Sequence, residues 1–202
     1  MGIEAVLFDL GNVLIKWDPE TPYRTLIPDA TERRRFLDEV CTLAWHAPSD
    51  EGRPWAEMIA EKIAEFPQHE PLIRAWRERF HEMVVGPIEG TVALLEQMND
   101  RQVPLFALTN WAADTFIEAR PRFAFLERFR HITVSGELGM MKPDPKIFLH
   151  ALGHIALPAE KVLFIDDSAT NIASAKALGF ACHHFQAPEA LAADLKARGL
   201  LG

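Results

Sequence analysis

The chain has 202 residues, 49% hydrophobic and 25% charged, with 29 acidic against 21 basic side chains and a formal net charge of −8. That length suits one sizeable core with room for a small second domain, and the composition is that of an ordinary globular chain. The acidic balance argues against nucleic-acid binding, which needs a basic footprint, and no apolar run approaches the roughly 18 residues of a membrane span.

In chain order, the first element is the unbroken apolar run Ala5–Phe8, the mark of a strand buried on both faces. It stops on Asp9, and the chain breaks at Gly11-Asn12. The opening MGIEAVLFDL has no basic leader or cleavage site, and Val6 stands where a myristoylation signal needs Ser or Thr. Residues 18–86 carry no strand signal but three helical patterns, about 30–41, 54–66 and 69–83. Thr31 is the expected N-cap of the first. Phe36, Leu37, Ile59, Ile63 and Phe80 recur at helical spacing, and Trp17, Trp45, Trp55 and Trp76 gather around this insert. VVGPIEG, residues 84–90, marks the return, and a helix over Gly90–Arg101 follows.

Further strands are predicted at Pro104–Leu108, Ile132–Val134, Val162–Ile165 and, more weakly, Phe180–Phe185. Helical patterns lie between and after them at Ala112–Arg120, Pro145–Ile155, Ala169–Leu178 and Pro188–Arg198, with Gly179 placed to end the third. Strand alternating with helix gives an α/β fold with a doubly wound parallel sheet. Its core is discontinuous, residues 1–17 and 87–202, with a helical cap inserted over 18–86. Cys41 and Cys182 are far apart and suggest neither a disulfide framework nor a metal site, so a reducing cytoplasmic setting is expected.

In such sheets ligands bind beyond the carboxyl ends of the strands. Those ends carry Asp9, Thr109-Asn110, Lys142 in SGELGMMKPDP, and Asp166-Asp167 followed by Ser168 and Asn171. Singly, most have ordinary explanations: a helix cap, turn chemistry, a solvated lysine. The paired acids do not. Adjacent carboxylates closing an apolar strand repel, and a buried charge is costly unless paired or metal-bound.

In order and position, Asp9, Thr109, Lys142 and Asp166-Asp167 resemble the four motifs of the haloacid dehalogenase-like (HAD) hydrolase superfamily, and the insert resembles its helical C1 cap on a Rossmann-like core. KPDPKIF and FIDDSATNIASAKALGF are similar to the branch of small-molecule phosphatases and haloacid dehalogenases. The resemblance implies an Asp9 nucleophile that forms an aspartyl-phosphate. It implies Mg²⁺ held by Asp9, the Gly11 carbonyl and Asp167, with Asp166 nearby. Thr109, Asn110 and Lys142 would hold phosphoryl oxygens. The implied partner is a small phosphorylated substrate, with no nucleic acid or membrane, and the chain is expected as a monomer or homodimer.

One position departs. The usual phosphatase motif is Asp-x-Asp, whose second Asp is general acid and base. DLGNV puts Gly11 there, although it also resembles a sub-branch with sugar-phosphate phosphatases. Asn12, Asp18 and His46 are the expected substitutes. A dehalogenase using Asp9 needs no such acid, because halide leaves without a proton; an inactive binding module is a third reading. Asp166-Asp167 separates the first two: a dehalogenase needs no metal and carries small polar residues there, which favours the phosphatase. Trp45, His46 and Arg53 from the cap are expected at the substrate pocket with Asn12 and Trp111, and Arg53 suits a second anionic group. His183-His184 is expected to be structural.

Overall fold

Ala5–Phe8 forms β1, fully buried and central in a five-stranded parallel sheet. A computed structural model of the chain describes residues 2–202. The chain continues through β2 (Ile15–Trp17), α1 (Tyr23–Leu26), α2 (Ala30–Glu39), α3 (Leu43–Asp50), α4 (Trp55–Glu65), α5 (Glu70–Glu78), α6 (Phe80–Met83) and β3 (Val84–Pro87). The core resumes with α7 (Glu89–Asp100), β4 (Leu105–Thr109), α8 (Ala113–Ala119), β5 (His131–Val134), α9 (Ser135–Leu138) and α10 (Pro145–Ile155). It ends with β6 (Val162–Asp166), α11 (Ala169–Ala177), β7 (Ala181–His184) and α12 (Pro188–Ala197). The strand order is β5-β4-β1-β6-β7.

The pleat sends successive β1 side chains into two apolar layers. Val6 and Phe8 pack with Leu94, Leu95 and Met98 of α7 and with Leu191 and Leu195 of α12. Ala5 and Leu7 pack with Phe148 and Ala151 of α10 and with Ile172 and Ala175 of α11. Helices thus cover both faces, which is why the strands read as continuous apolar runs. Register fixes what lies at the end: Phe8 pairs with Ala107 on one side and Ile165 on the other. Asp9 therefore emerges level with Leu108 and Asp166.

The insert joins the core through an antiparallel ribbon of β2 and β3. The sequence shows no strand at β3, because Gly86 and Pro87 hide it and only the pairing with Ile15–Trp17 reveals it. The third insert pattern breaks at Arg79 into α5 and α6. The sequence shows no helix at α3, because Pro48 lies inside it and removes a helical donor; Thr42 caps it through the Trp45 N–H. Asp29, not Thr31, caps α2: the helix starts at Ala30, and the Asp29 carboxylate accepts the N–H groups of Thr31 and Glu32, each at 2.9 Å. Phe36 and Phe80 are buried as their spacing suggests, and Leu37, Ile59 and Ile63 pack partly buried against the same cluster. Gly179 adopts φ +91 after α11, a conformation glycine takes without strain.

Candidate active site

β1 and β6 deliver Asp9 and Asp166 side by side, and the loop before α10 sends Lys142 between them. The Lys142 side chain is 1% exposed, with Nζ 2.9 Å from Asp9 Oδ1 and 2.7 Å from Asp166 Oδ2. Asn110 holds Lys142 in place from both ends of its amide: Nδ2 donates to the Lys142 carbonyl at 2.9 Å, and Oδ1 accepts the Lys142 N–H at 2.8 Å. Asp166 accepts from the Ser168 N–H at 2.8 Å and from Asn171 Nδ2 at 3.1 Å. Asp9 Oδ1 also accepts the Leu10 N–H at 2.7 Å, which leaves Oδ2 without a hydrogen bond among the described residues.

Asp167 is the third acid. His184 Nε2 donates to its main-chain carbonyl at 2.9 Å and fixes the strand end. Carboxylate oxygens of Asp9, Asp166 and Asp167 all lie within 4.8 Å of one another. Three acids around one ammonium leave an excess of negative charge. Burial pushes the Asp9 carboxyl up to about 8; Lys142 opposes this, and Asp166 and Asp167 add to it. Burial also raises Asp167, with Asp166 contributing. Burial would lower the Lys142 ammonium, but Asp9 and Asp166 outweigh it and hold it above the usual lysine range. Converging hard oxygen donors with uncompensated charge fit a divalent cation such as Mg²⁺. The Gly11 position lies against the same space, and a Cβ built there meets nothing within 4 Å.

A cavity of about 270 Å³ opens over these acids. Its walls are largely aromatic: Trp17, His46, Phe80 and Trp111 line it, with Leu43 beside them. The His46 ring stacks between Trp17 at 5.3 Å and Phe80 at 6.0 Å. Trp111 also packs edge-on against Phe116 at 5.6 Å, so it is both wall and core.

The expected site residues divide. Asp9, Gly11, Asn12, His46, Asn110, Trp111, Lys142 and Asp167 line the cavity. Asp166 is fully buried behind Lys142, and Thr109 is buried at the end of β4, outside the lining. Four expectations need correction. Trp45 turns into the cap, donating from Nε1 to the Met58 carbonyl and packing on Trp55 and Trp76. Arg53 faces outward, 41% exposed and paired with Glu61. Asn110 uses one Nδ2 hydrogen and its Oδ1 on Lys142, so its second Nδ2 hydrogen and its main-chain N–H remain for a ligand, as expected of it. Of the proton carriers, Asp18 is taken by Arg24 and the Glu20 N–H. Asn12 is taken by the Trp17 N–H, in a left-handed turn at φ +54 that asparagine tolerates.

Asp50, at the end of α3, was not foreseen. It lines the cavity, and its side chain is 14% exposed. Burial pushes its carboxyl up to about 7, with the Ala112 main chain and Lys142 opposing and Glu51 adding. His46 Nε2 lies 3.6 Å from Asp50 Oδ1. The donor-only Trp76 indole gives its N–H to His46 Nδ1 at 3.3 Å, so the neutral ring carries its hydrogen on Nε2, towards Asp50. Burial pulls the His46 pKa down to about 4. The i, i+4 spacing of His46 and Asp50 was the available signal; it was lost because PSDEG reads as a turn.

The chain is similar to known proteins in sequence and in fold. A sesquiterpene phosphatase, astK of Aspergillus oryzae, is 26% identical over 98% of this chain and 97% of its own. A phosphorylated carbohydrates phosphatase of Thermotoga maritima is 26% identical over 88% of this chain and 82% of its own. Among solved structures, a HAD family enzyme of Bacteroides thetaiotaomicron in a magnesium complex aligns with TM-score 0.69 at 23% identity, over 93% of this chain and 95% of that one. An L-2-haloacid dehalogenase of Xanthobacter autotrophicus aligns with TM-score 0.65 at 17% identity, over 96% and 83%. These structural likenesses describe the fold. The sequence model of haloacid dehalogenase-like hydrolases matches residues 3–179, and the chain belongs to that family.

Proposed function

We propose that the protein is a Mg²⁺-dependent phosphatase that hydrolyses a small phosphate monoester through an aspartyl-phosphate on Asp9. The observation that carries this is the convergence of Asp9, Asp166 and Asp167 around a single ammonium. Without a cation, that excess charge would repel any anionic substrate, haloacid or phosphate alike. Asp9, the Gly11 carbonyl and Asp167 would hold the metal, with Asp166 behind. When bound, Mg²⁺ supplies the positive charge that lets a carboxylate approach a phosphate dianion.

The chain's own groups do the rest. Lys142 anchors Asp9 through Oδ1, so attack falls to Oδ2. Lys142 has a third N–H for a phosphoryl oxygen, and the Asn110 main-chain N–H and Thr109, at the end of β4, would add to it. The aromatic side chains of the lining would pack against the organic remainder. Lys142 is the only Lys or Arg in the lining, and two acids already hold it; Arg53 faces away. A second anionic group would find no partner, so the remainder is uncharged. A sugar and a prenyl-type alcohol both meet that condition, and relatives named for each class exist. The free thiols Cys41 and Cys182 suit a cytoplasmic setting.

The test is a paired release assay, with and without Mg²⁺, on sugar phosphates and prenyl phosphates in one arm and 2-haloacids in the other. Phosphate release that disappears on chelation is expected. Halide release that survives chelation would overturn the reading.

A further inference from the structure

We propose that Asp50, carried by cap helix α3, is the proton carrier that Gly11 cannot be. The inference rests on the phosphatase reading above and adds the acid and base that it lacks. The lining has five ionisable side chains: Asp9, His46, Asp50, Lys142 and Asp167. Asp9 is the nucleophile, Lys142 is held by two acids, and Asp167 faces the metal position. His46 has Nδ1 occupied by Trp76, and its other nitrogen turns to Asp50 rather than to the acids. Asp50 remains, its side chain 14% exposed, lining the same cavity as Asp9, Lys142 and Asp167.

Its surroundings suit the task. Burial and Glu51 favour the protonated carboxyl, while Lys142 and the Ala112 main chain favour the carboxylate, and the balance lies at about 7. His46 presents a neutral Nε2–H to it. α9, packed on α3, carries one ionisable residue, Glu137, and the nearby Asp114 of α8 is engaged by Arg77. His46 is thus a positioning residue that orients Asp50, itself oriented by Trp76.

In the first step, Asp9 forms an O–P bond as the ester O–P bond breaks, and the Asp50 proton passes to the departing alkoxide. The alcohol leaves and Asp50 is a carboxylate. In the second, that carboxylate takes a proton from the water whose oxygen attacks phosphorus. The Asp9–phosphorus bond breaks, inorganic phosphate leaves, and both side chains regain their starting states. One water is consumed.

The experiment compares wild type with Asp50→Asn on an alkyl phosphate and on p-nitrophenyl phosphate, with Mg²⁺. On the alkyl ester, the variant should lose about 10²-fold or more in kcat. The nitrophenolate leaves without a proton, so the variant should release one equivalent per active site in a burst and then stall. At saturating Mg²⁺, which would keep Asp9 ionised, wild-type activity on the alkyl ester should fall as pH rises through about 7, and Asp50→Asn should lack that limb. Asp50→Glu should keep it, which guards against a variant that merely misfolds. Because a side chain at position 11 meets open space, Gly11→Asp in the Asp50→Asn background should restore part of the rate. Alkyl-ester turnover within a few-fold of wild type in a folded Asp50→Asn protein, or slow turnover with no burst, overturns this inference while the phosphatase reading stands. No phosphate release by wild type on any ester overturns both.

Discussion

The core side and the cap side of the cavity hold their ionisable groups by different means. On the core side, Asp9 and Asp166 are placed by strand register and held by short bonds to Lys142, with Asn110 fixing that lysine from behind. On the cap side, His46 and Asp50 are placed by aromatic packing and by one 3.3 Å bond from Trp76. The core arrangement is tightly bonded and crowded with charge, which suits a group that must form and break one bond in one geometry. The cap arrangement is enclosed and sparing of charge, which suits a carboxyl that must hold and release a proton near neutral pH. On the proposed mechanism, the site divides covalent chemistry and proton transfer between two separately built walls.

The largest effect should come from the core. Asp9→Asn should reduce phosphate release on the order of 10⁴-fold while leaving circular dichroism unchanged; a folded variant with wild-type rates would remove the nucleophile from this account. Lys142→Ala should both abolish activity and destabilise the fold by about 3–5 kcal/mol in denaturant titrations, because two buried acids lose their partner. A destabilisation below 1 kcal/mol would show that the acids relax without it.

Cap substitutions should be gentler on the fold. Asp50 has a folded pKa of about 7 against an ordinary 3.8. The folded state therefore holds a proton that the unfolded state gives up between those values, and stability falls as pH rises through that window. Asp50→Asn removes this penalty, so above pH 7 its melting temperature should exceed that of wild type, by the equivalent of about 1–3 kcal/mol; below pH 4 the two should converge. A lower melting temperature at pH 8 would contradict the buried, near-neutral Asp50. Trp76→Phe, which keeps one aromatic ring but leaves a cavity and loses the bond to His46, should cost about 1–3 kcal/mol in stability and a few-fold in kcat. Arg53→Ala, outward and paired with Glu61, should leave KM within about two-fold, since an exposed pair contributes little.

How much of this was legible in sequence follows the same division. β1, β4 and β6 announce themselves as apolar runs because helices cover both faces, and their terminal Asp9, Thr109-Asn110 and Asp166-Asp167 could be read directly. The cap showed α2, α4 and the α5–α6 stretch but neither α1 nor α3, and not its orientation. Trp45, His46, Asp50 and Arg53 lie within nine residues, and only contact with neighbouring helices decides which face the cavity. Pro48 concealed the helix that carries the first three, and the turn-like PSDEG concealed Asp50. Asp29 and β3 were missed for the same reason: both depend on a hydrogen bond that one residue's identity does not reveal.

The most direct test of the division between walls is to quench Asp50→Asn during turnover of p-nitrophenyl phosphate and map the modified residue by mass spectrometry. One phosphoryl group should accumulate on the peptide that contains Asp9, because the core still forms the bond and the cap no longer frees it. Rapid turnover with no trapped phosphoryl group, or a phosphoryl group on another residue, would contradict the account.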